Sequence, residues 1–508
     1  MIDALLIYPK LGSMDSLVVD PPLSIIYAAS DAAKAGYDLQ LYDLRCERGD
    51  WRQRLGAILE QGVLLAGVSV MTGSPLRSAR EVSQFIKERS PATKVVWGGP
   101  HATVLPETIE EPYLDFLIRG YGSAPLARLI AALKQPGSDL TAIPGLSFKD
   151  AQGQPVHNPR GDQHEMLSYR DLPYHLMDLN SPGYRRSYLG QRMFPMFTSL
   201  GCPYQCSFCV HPTIYRVING KKWRPYPEEE AVEHMEMLVE RFGATHICLL
   251  DDTCFPDLAR MERLFKLMLE RGLKVTLEIR GARINEIDRM TPEFIDLMVK
   301  AGGRIIMVGV ESASDRVLKT MQKGISKAQI LRANRKLAAF PQLTPHYNFI
   351  YGTPGETYED LKETKDVIMR LVRDNPQAYI GFGGDWKPIP GSKMLTLAQE
   401  RYGLKPPTTL DQWIDMDSSD SERKITHPWY TRRHDNLIKA LQISSFVVND
   451  GLARQTRDNH TPFFRLLRLM ALAYKPLAML RLRANFYALP LEHDMWRLMI
   501  RLLPRLVG

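Results

Sequence analysis

The chain has 508 residues, 44% of them hydrophobic and 24% charged, and a formal net charge of +8. That is ordinary for a globular protein and long enough for two or three domains with sizeable cores. Six cysteines in this length do not fit a secreted disulfide scaffold, and no uncharged run reaches the ~20 residues that span a bilayer. The opening residues Met1-Ile2-Asp3-Ala4-Leu5-Leu6-Ile7-Tyr8-Pro9 read as a first strand. They lack the basic start and long apolar core of a signal peptide, so a cytoplasmic, reducing location is expected. Residues 4–8 are followed by a loop carrying Asp20-Pro21-Pro22 and a helix over 23–35 that Gly36 ends. Strands are expected at 38–42, 64–70, 94–97 and 116–118, and helices at 51–60, 75–89 and 124–134. Such alternation predicts a parallel sheet with helices on both faces, whose ligands bind at the carboxyl ends of the strands. Gly73, Gly98, Gly99, Gly120 and Gly122 sit at those ends, where glycine lets the backbone approach a bulky ligand. No G-x-G-x-x-G opens the first helix, so a dinucleotide is disfavoured.

Residues 141–195 read as a connector, with a short β segment at 142–148 and a turn-rich stretch at 150–161. From 196 to 406 strands are expected at 196–200, 245–250, 275–279, 304–310, 347–351 and 380–383. Helices are expected between them at 227–242, 257–271, 291–300, 327–339 and 358–374. About six βα units suit a partial or full β/α barrel, and polar residues recur just past the strand ends, on the rim that carries active sites. After the first of these strands comes Gly201-Cys202-Pro203-Tyr204-Gln205-Cys206-Ser207-Phe208-Cys209. The spacing C-x3-C-x2-C supplies three thiolates and no fourth. A four-iron cubane normally takes four cysteines, so three leave one iron open to a substrate or cofactor. A structural zinc site needs four ligands, and no fourth Cys or His follows at finger-like spacing. Cys46, Cys248 and Cys254 are read as buried or incidental thiols.

This run, with the aromatic Phe208 before its last cysteine, resembles the cluster loop of radical S-adenosylmethionine (radical SAM) enzymes. The resemblance implies a 4Fe-4S cluster on Cys202, Cys206 and Cys209. Its open iron chelates S-adenosyl-L-methionine, and reductive cleavage gives a 5′-deoxyadenosyl radical. A low-potential electron donor such as a flavodoxin or ferredoxin is implied with it. Gly309-Val310-Glu311-Ser312 resembles the family segment against the SAM ribose and methionine, and Gly352-Thr353-Pro354-Gly355-Glu356 its Gly-x-Pro-Gly-Glu turn. Arg280 is expected to pair with the SAM carboxylate as a fork donor, and Asp251 and Asp252 lie where the family holds the SAM amino group or a substrate group.

Residues 1–140 resemble the cobalamin-binding domain that precedes the radical SAM domain in one large subfamily. The resemblance rests on Pro21-Pro22-Leu23, Val68-Ser69-Val70-Met71-Thr72, Gly98-Gly99-Pro100-His101 and Gly120-Tyr121-Gly122. It implies cobalamin bound near Ser69, Thr72, Gly98, Gly99, His101, Gly120 and Gly122. Many members carry an acidic residue within the last segment, where this chain has Tyr121 and Ser123. No Asp-x-His-x-x-Gly loop is present, which implies a cobalt without a histidine ligand.

The expected fold class is therefore α/β. A Rossmann-like parallel sheet (1–140) and a connector (141–195) lead to a radical SAM barrel (196–406) and a helical C-terminal region (407–508). From Phe463 onward basic residues alternate with large apolar ones at helical spacing. Two readings stand: a helix lying in a membrane interface, or one packed on the barrel with snorkelling arginines. Under the first, the protein is membrane-associated and its substrate lipidic or otherwise hydrophobic, such as a polyprenoid, hopanoid or tetrapyrrole. Nucleic acid is not expected as a partner, because the cations lie among bulky aliphatics. Two activities follow from the resemblance: cobalamin-dependent methylation of an unactivated carbon, or radical cyclisation, ring contraction or rearrangement without methyl transfer.

Overall fold

The computed structural model describes residues 1–12, 15, 20–47, 49–135, 137–162, 165–185, 191–381, 383–416, 427–450, 462–488 and 492–493. The first sheet contains β1 (Ile2–Tyr8), β2 (Leu39–Asp43), β3 (Val63–Ser69), β4 (Lys94–Gly98), β5 (Phe116–Ile118), β6 (Leu146–Lys149) and β7 (Pro155–His157). Their order is β2-β1-β3-β4-β5-β6-β7. The strands are parallel through β5, while β6 and β7 add on antiparallel. β1 is buried along nearly its whole length because helices cover both faces, as an apolar run in a parallel strand requires. The order reverses between β1 and β3, which opens a crevice at their carboxyl ends. The short β segment of the connector thus joins the first sheet as β6, and β7 forms its edge. The partner of β6, β5, lies far back in the sequence, which local pattern does not show.

The second sheet contains β8 (Met193–Met196), β11 (His246–Leu249), β12 (Thr276–Arg283), β13 (Gly303–Glu311), β14 (Thr344–Tyr351) and β15 (Tyr379–Ile380). All pair in parallel in the order β15-β14-β13-β12-β11-β8, and β16 (Gly384–Asp385) joins β14. Among the described residues β8 and β15 do not pair with each other, so the barrel is partial. The hairpin of β9 (Ser199–Gly201) and β10 (Trp223–Pro225) follows β8 in the chain and pairs apart from this sheet. Helix ends follow local chemistry: Thr291 accepts from Phe294 N, and Thr357 and Asp360 form a capping box for the helix Tyr358–Asp374.

One apolar core fills the barrel layer, and a second and a third lie on the two faces of the first sheet. The second extends to Trp386, Met394 and Trp413, so no break marks the expected boundary at 406–407. The helix Leu410–Asp415 lies on the first domain, with Arg80 Nη1 2.5 Å from Asp411 Oδ1. The helix Arg432–Val447 packs on the barrel helix Tyr358–Asp374.

Candidate active site

Pairing of β9 with β10 closes the ends of the cysteine loop, Gly201 opposite Trp223. Ser207 fixes its middle: its N and Oγ donate to Met321 O (2.9 Å) and Thr320 O (2.8 Å), and its carbonyl accepts from Met394 N (2.8 Å). Thr213 Oγ1 donates to Gly391 O at 2.5 Å, so the Pro-Gly-Ser segment near residue 391 also holds the loop. Cys202, Cys206 and Cys209 are free thiols. Burial pushes the Cys202 thiol up to about 12 and the Cys209 thiol up to about 11. Such thiols ionise when a metal takes their charge. Among the described residues no three His, Cys, Asp or Glu side chains converge on one ion position. A single zinc needs that convergence, whereas a cluster takes one thiolate per iron. The donor set therefore fits a cluster that takes one thiolate on each of three irons.

Arg283 meets this loop. Its Nη1 lies 3.1 Å from Cys206 Sγ, its Nη2 donates to Lys323 O, and its Cζ lies 3.8 Å over the Tyr204 ring. Tyr204 Oη donates to Glu286 Oε1 at 2.9 Å, and Thr253 Oγ1 donates to the same oxygen at 2.8 Å. Lys323 Nζ in turn lies 2.7 Å from Glu311 Oε1 and 5.5 Å from the centre of the Phe208 ring. Glu311 has φ +67° at the end of β13, where the pairing with β14 slips. A non-glycine residue held there is a strained position of the kind that clusters at functional sites.

Arg280 is placed elsewhere. Its Nε donates to Glu278 Oε1 at 2.6 Å, within a group in the barrel that includes Asp20 and Cys248. A bulge in β12 between Ile279 and Ala282 separates Arg280 from Arg283, so the fork donor beside the cysteines is Arg283. Ser312 is fully buried, its Oγ 3.4 Å from Thr364 Oγ1, and turns away from the Glu311–Lys323 pair. Asp251 is a structural anchor: it accepts from Thr198 N and Thr198 Oγ1 (both 2.7 Å) and Ser199 Oγ (2.5 Å). Asp252 accepts from Tyr215 Oη at 2.6 Å and faces His211 Nδ1 at 3.2 Å, so it ties the end of β11 to the segment after Cys209. Glu356 accepts from Gly352 N (2.5 Å) and Thr353 N (3.1 Å) and closes its turn. Tyr430 lies so close that a Cβ on Gly352 would overlap its hydroxyl.

A cavity of about 360 Å³ opens at the carboxyl ends of β1, β3, β4 and β5. Ser69, Gly98, Gly99, Gly120 and Gly122 line it, and Asp252, Tyr215 and Phe197 close it from the barrel side. Gly99 has φ +112°, and a Cβ there would stand 2.6 Å from Val70 O, so only glycine fits. Ser24 Oγ and Ser69 Oγ lie 2.9 Å apart at its wall. Glu165 of the connector also lines the cavity and accepts from Ala124 N (2.7 Å) and Ser123 N (3.2 Å). It supplies a carboxylate at the helix N-terminus, beside the positions where Tyr121 and Ser123 replace the family's acidic residue. Thr72 and His101 are not in the cavity wall. His101 is fully buried between Thr72 Oγ1 (3.0 Å from Nδ1) and Thr108 Oγ1 (3.3 Å from Nε2), and burial lowers its pKa to about 4. A backbone-lined, largely apolar crevice of this size at a switch point fits part of a large planar cofactor.

Sequence reasoning missed Arg283, Lys323, Tyr215 and Glu165. The signal for Arg283 was present, a second arginine three residues along the same strand.

Two family models match separate stretches of the chain. Residues 196–368 match the radical SAM superfamily and residues 18–130 the B12 binding domain. An uncharacterised methyltransferase of Pyrococcus horikoshii is 28% identical over 90% of this chain and 95% of its own. The anaerobic magnesium-protoporphyrin IX monomethyl ester cyclase of Synechocystis is 24% identical over 62% of each chain. The cobalamin-dependent SAM radical enzyme OxsB, solved with aqua-cobalamin and SAM, superposes with a TM-score of 0.71 at 18% identity, over 99% of this chain and 75% of that one. This chain belongs to the cobalamin-dependent radical SAM enzymes, and its cofactors are a 4Fe-4S cluster, SAM and cobalamin.

Proposed function

We propose that the protein methylates an unactivated carbon of a hydrophobic small molecule. The observation that carries this reading is the shared wall at Asp252: one carboxylate lines the first domain's cavity and holds His211 and Tyr215 behind the cysteine loop. When bound, the cluster with SAM supplies hydrogen-abstracting radical chemistry and cobalamin supplies a methyl carrier. The chain's residues position and shield. Cys202, Cys206 and Cys209 present the thiolates, and Arg283 donates to Cys206. The Glu311–Lys323 pair and Phe208 wall the loop on the β13 side, and the glycines of β4 and β5 give backbone access to the cavity. Electrons come from a low-potential flavodoxin or ferredoxin. The relative from P. horikoshii matches at nearly full length and is named a methyltransferase. The cyclase is named for a tetrapyrrole ester, which keeps oxidative cyclisation or rearrangement as the second reading.

Reconstituted protein with cobalamin, a low-potential reductant and methyl-deuterated SAM distinguishes the two. Methylation predicts S-adenosylhomocysteine together with 5′-deoxyadenosine. Deoxyadenosine alone moves the rearrangement reading ahead, and failure to retain cobalamin overturns both.

A further inference from the structure

The helix Pro462–Ala484 buries one stripe and exposes another. Leu467, Ala478 and Leu482 join the barrel-side core, and the helix packs on Arg432–Val447. Leu466, Leu469, Met470, Leu472, Leu477 and Leu480 stand 39–65% exposed. They make up six of the eleven large hydrophobic side chains left exposed among the described residues, so they form a patch and not the usual scatter. Spacings of three and four residues put most of them on the side opposite the buried stripe. A helix that only packs on its own protein turns polar residues to water. This one turns leucines.

The charges have a matching order. No Asp or Glu occurs in the helix, and five residues are basic. Arg481 is turned inward to Glu492 (2.5 Å), and Lys475 meets Asp450 (2.8 Å). Arg465 and Arg483 are exposed; eighteen residues, or about five turns, separate them, so they fall on the same flank of the leucine stripe. We propose that this helix docks flat on an anionic phospholipid surface. The leucines enter the acyl boundary and the arginines lie at the phosphates. No helix among the described residues is long and apolar enough to cross a membrane. A second copy of the chain is a poor occupant, because self-pairing would set basic helix against basic helix.

The test floats the full-length, cluster-loaded protein with vesicles of phosphatidylcholine alone or of phosphatidylcholine with phosphatidylglycerol. Binding to the mixed vesicles only is expected, falling with salt. Leu469→Glu/Leu480→Glu changes two exposed positions and is expected to weaken binding at least about tenfold. Arg465→Gln/Arg483→Gln is expected to weaken it about fivefold per charge. Cluster absorbance and far-UV circular dichroism check that each variant is folded. The proposal is overturned if the wild type floats with neither vesicle or equally with both, or if Leu469→Glu/Leu480→Glu floats as the wild type does. It is also overturned if light scattering shows a dimer that this variant dissolves and vesicles do not.

Discussion

Lys323→Met leaves the Glu311 carboxylate without its cation. The two side chains are only 5% and 11% exposed, and Nζ lies 2.7 Å from Oε1. Removing one partner of a buried ion pair costs about 3–5 kcal/mol, because the remaining charge stays desolvated. The lower end, ~3 kcal/mol, applies here because Glu311 keeps slightly more solvent than its partner. Glu311→Gln keeps an acceptor for Lys323 and is expected to cost about 2 kcal/mol. The double substitution removes both charges, so its cost should fall short of the sum by about 2 kcal/mol. The positive φ at residue 311 is present in all four proteins and cancels from the cycle. Hydrogen exchange at the amides of β13 and β14 reads local opening directly, which suits a chain whose two domains need not unfold as one. Single costs that add to within ~0.5 kcal/mol would refute a coupled pair. The link from this pair to the cysteine loop is tested on the same samples: Lys323→Met should also slow cluster reconstitution, since it removes the ammonium that lies 5.5 Å from the centre of the Phe208 ring in that loop.

Other substitutions probe the rest of the site. Alanine at Cys202, Cys206 or Cys209 is expected to abolish cluster absorbance and 5′-deoxyadenosine formation; persistent deoxyadenosine in a triple variant would sink the cluster assignment. A Cβ at Gly98 meets only Ile118 O, at 3.8 Å, so Gly98→Val should fold but fill the cavity, cutting cobalamin retention by about tenfold or more with the iron content unchanged. Burial raises the Glu356 pKa to about 8, well above its unfolded value, so the unfolded chain loses this proton first and stability falls as pH rises from about 4.5 to 8. Glu356→Gln cannot lose the proton, and its melting temperature should gain on the wild type across that window; a constant difference would contradict the buried acid.

Much of the architecture was readable because it is written at short range. Three cysteines within eight residues need no tertiary knowledge, and the βα alternation follows from apolar runs bounded by glycine and proline. Features set by distant partners were not readable. Arg280 was singled out as the residue just past a strand expected at 275–279, but the strand runs on to Arg283 through a bulge at Gly281, with φ +74°. Ser312 sits beside Glu311 in sequence but turns to Thr364 on another helix. Lys323, the partner Glu311 does have, lies twelve residues on, beyond any strand or helix period. His101 looked like a ligand contact from its place after Gly98-Gly99, yet a short helix turns its ring into the core. Strands β6 and β7 were read as connector because β6 joins the sheet through the remote β5, and β7 only through β6.

The crevice beside Glu165 is built by three stretches of chain that are not neighbours in sequence: the first sheet, the connector and the β11 end of the barrel. Whatever fills it acts as mortar between them. An occupant at one hundred times its dissociation constant would add about 2.7 kcal/mol to the assembled form alone. The empty protein should therefore part first along this seam, with proteases cutting the connector before either sheet, and loading should close that route.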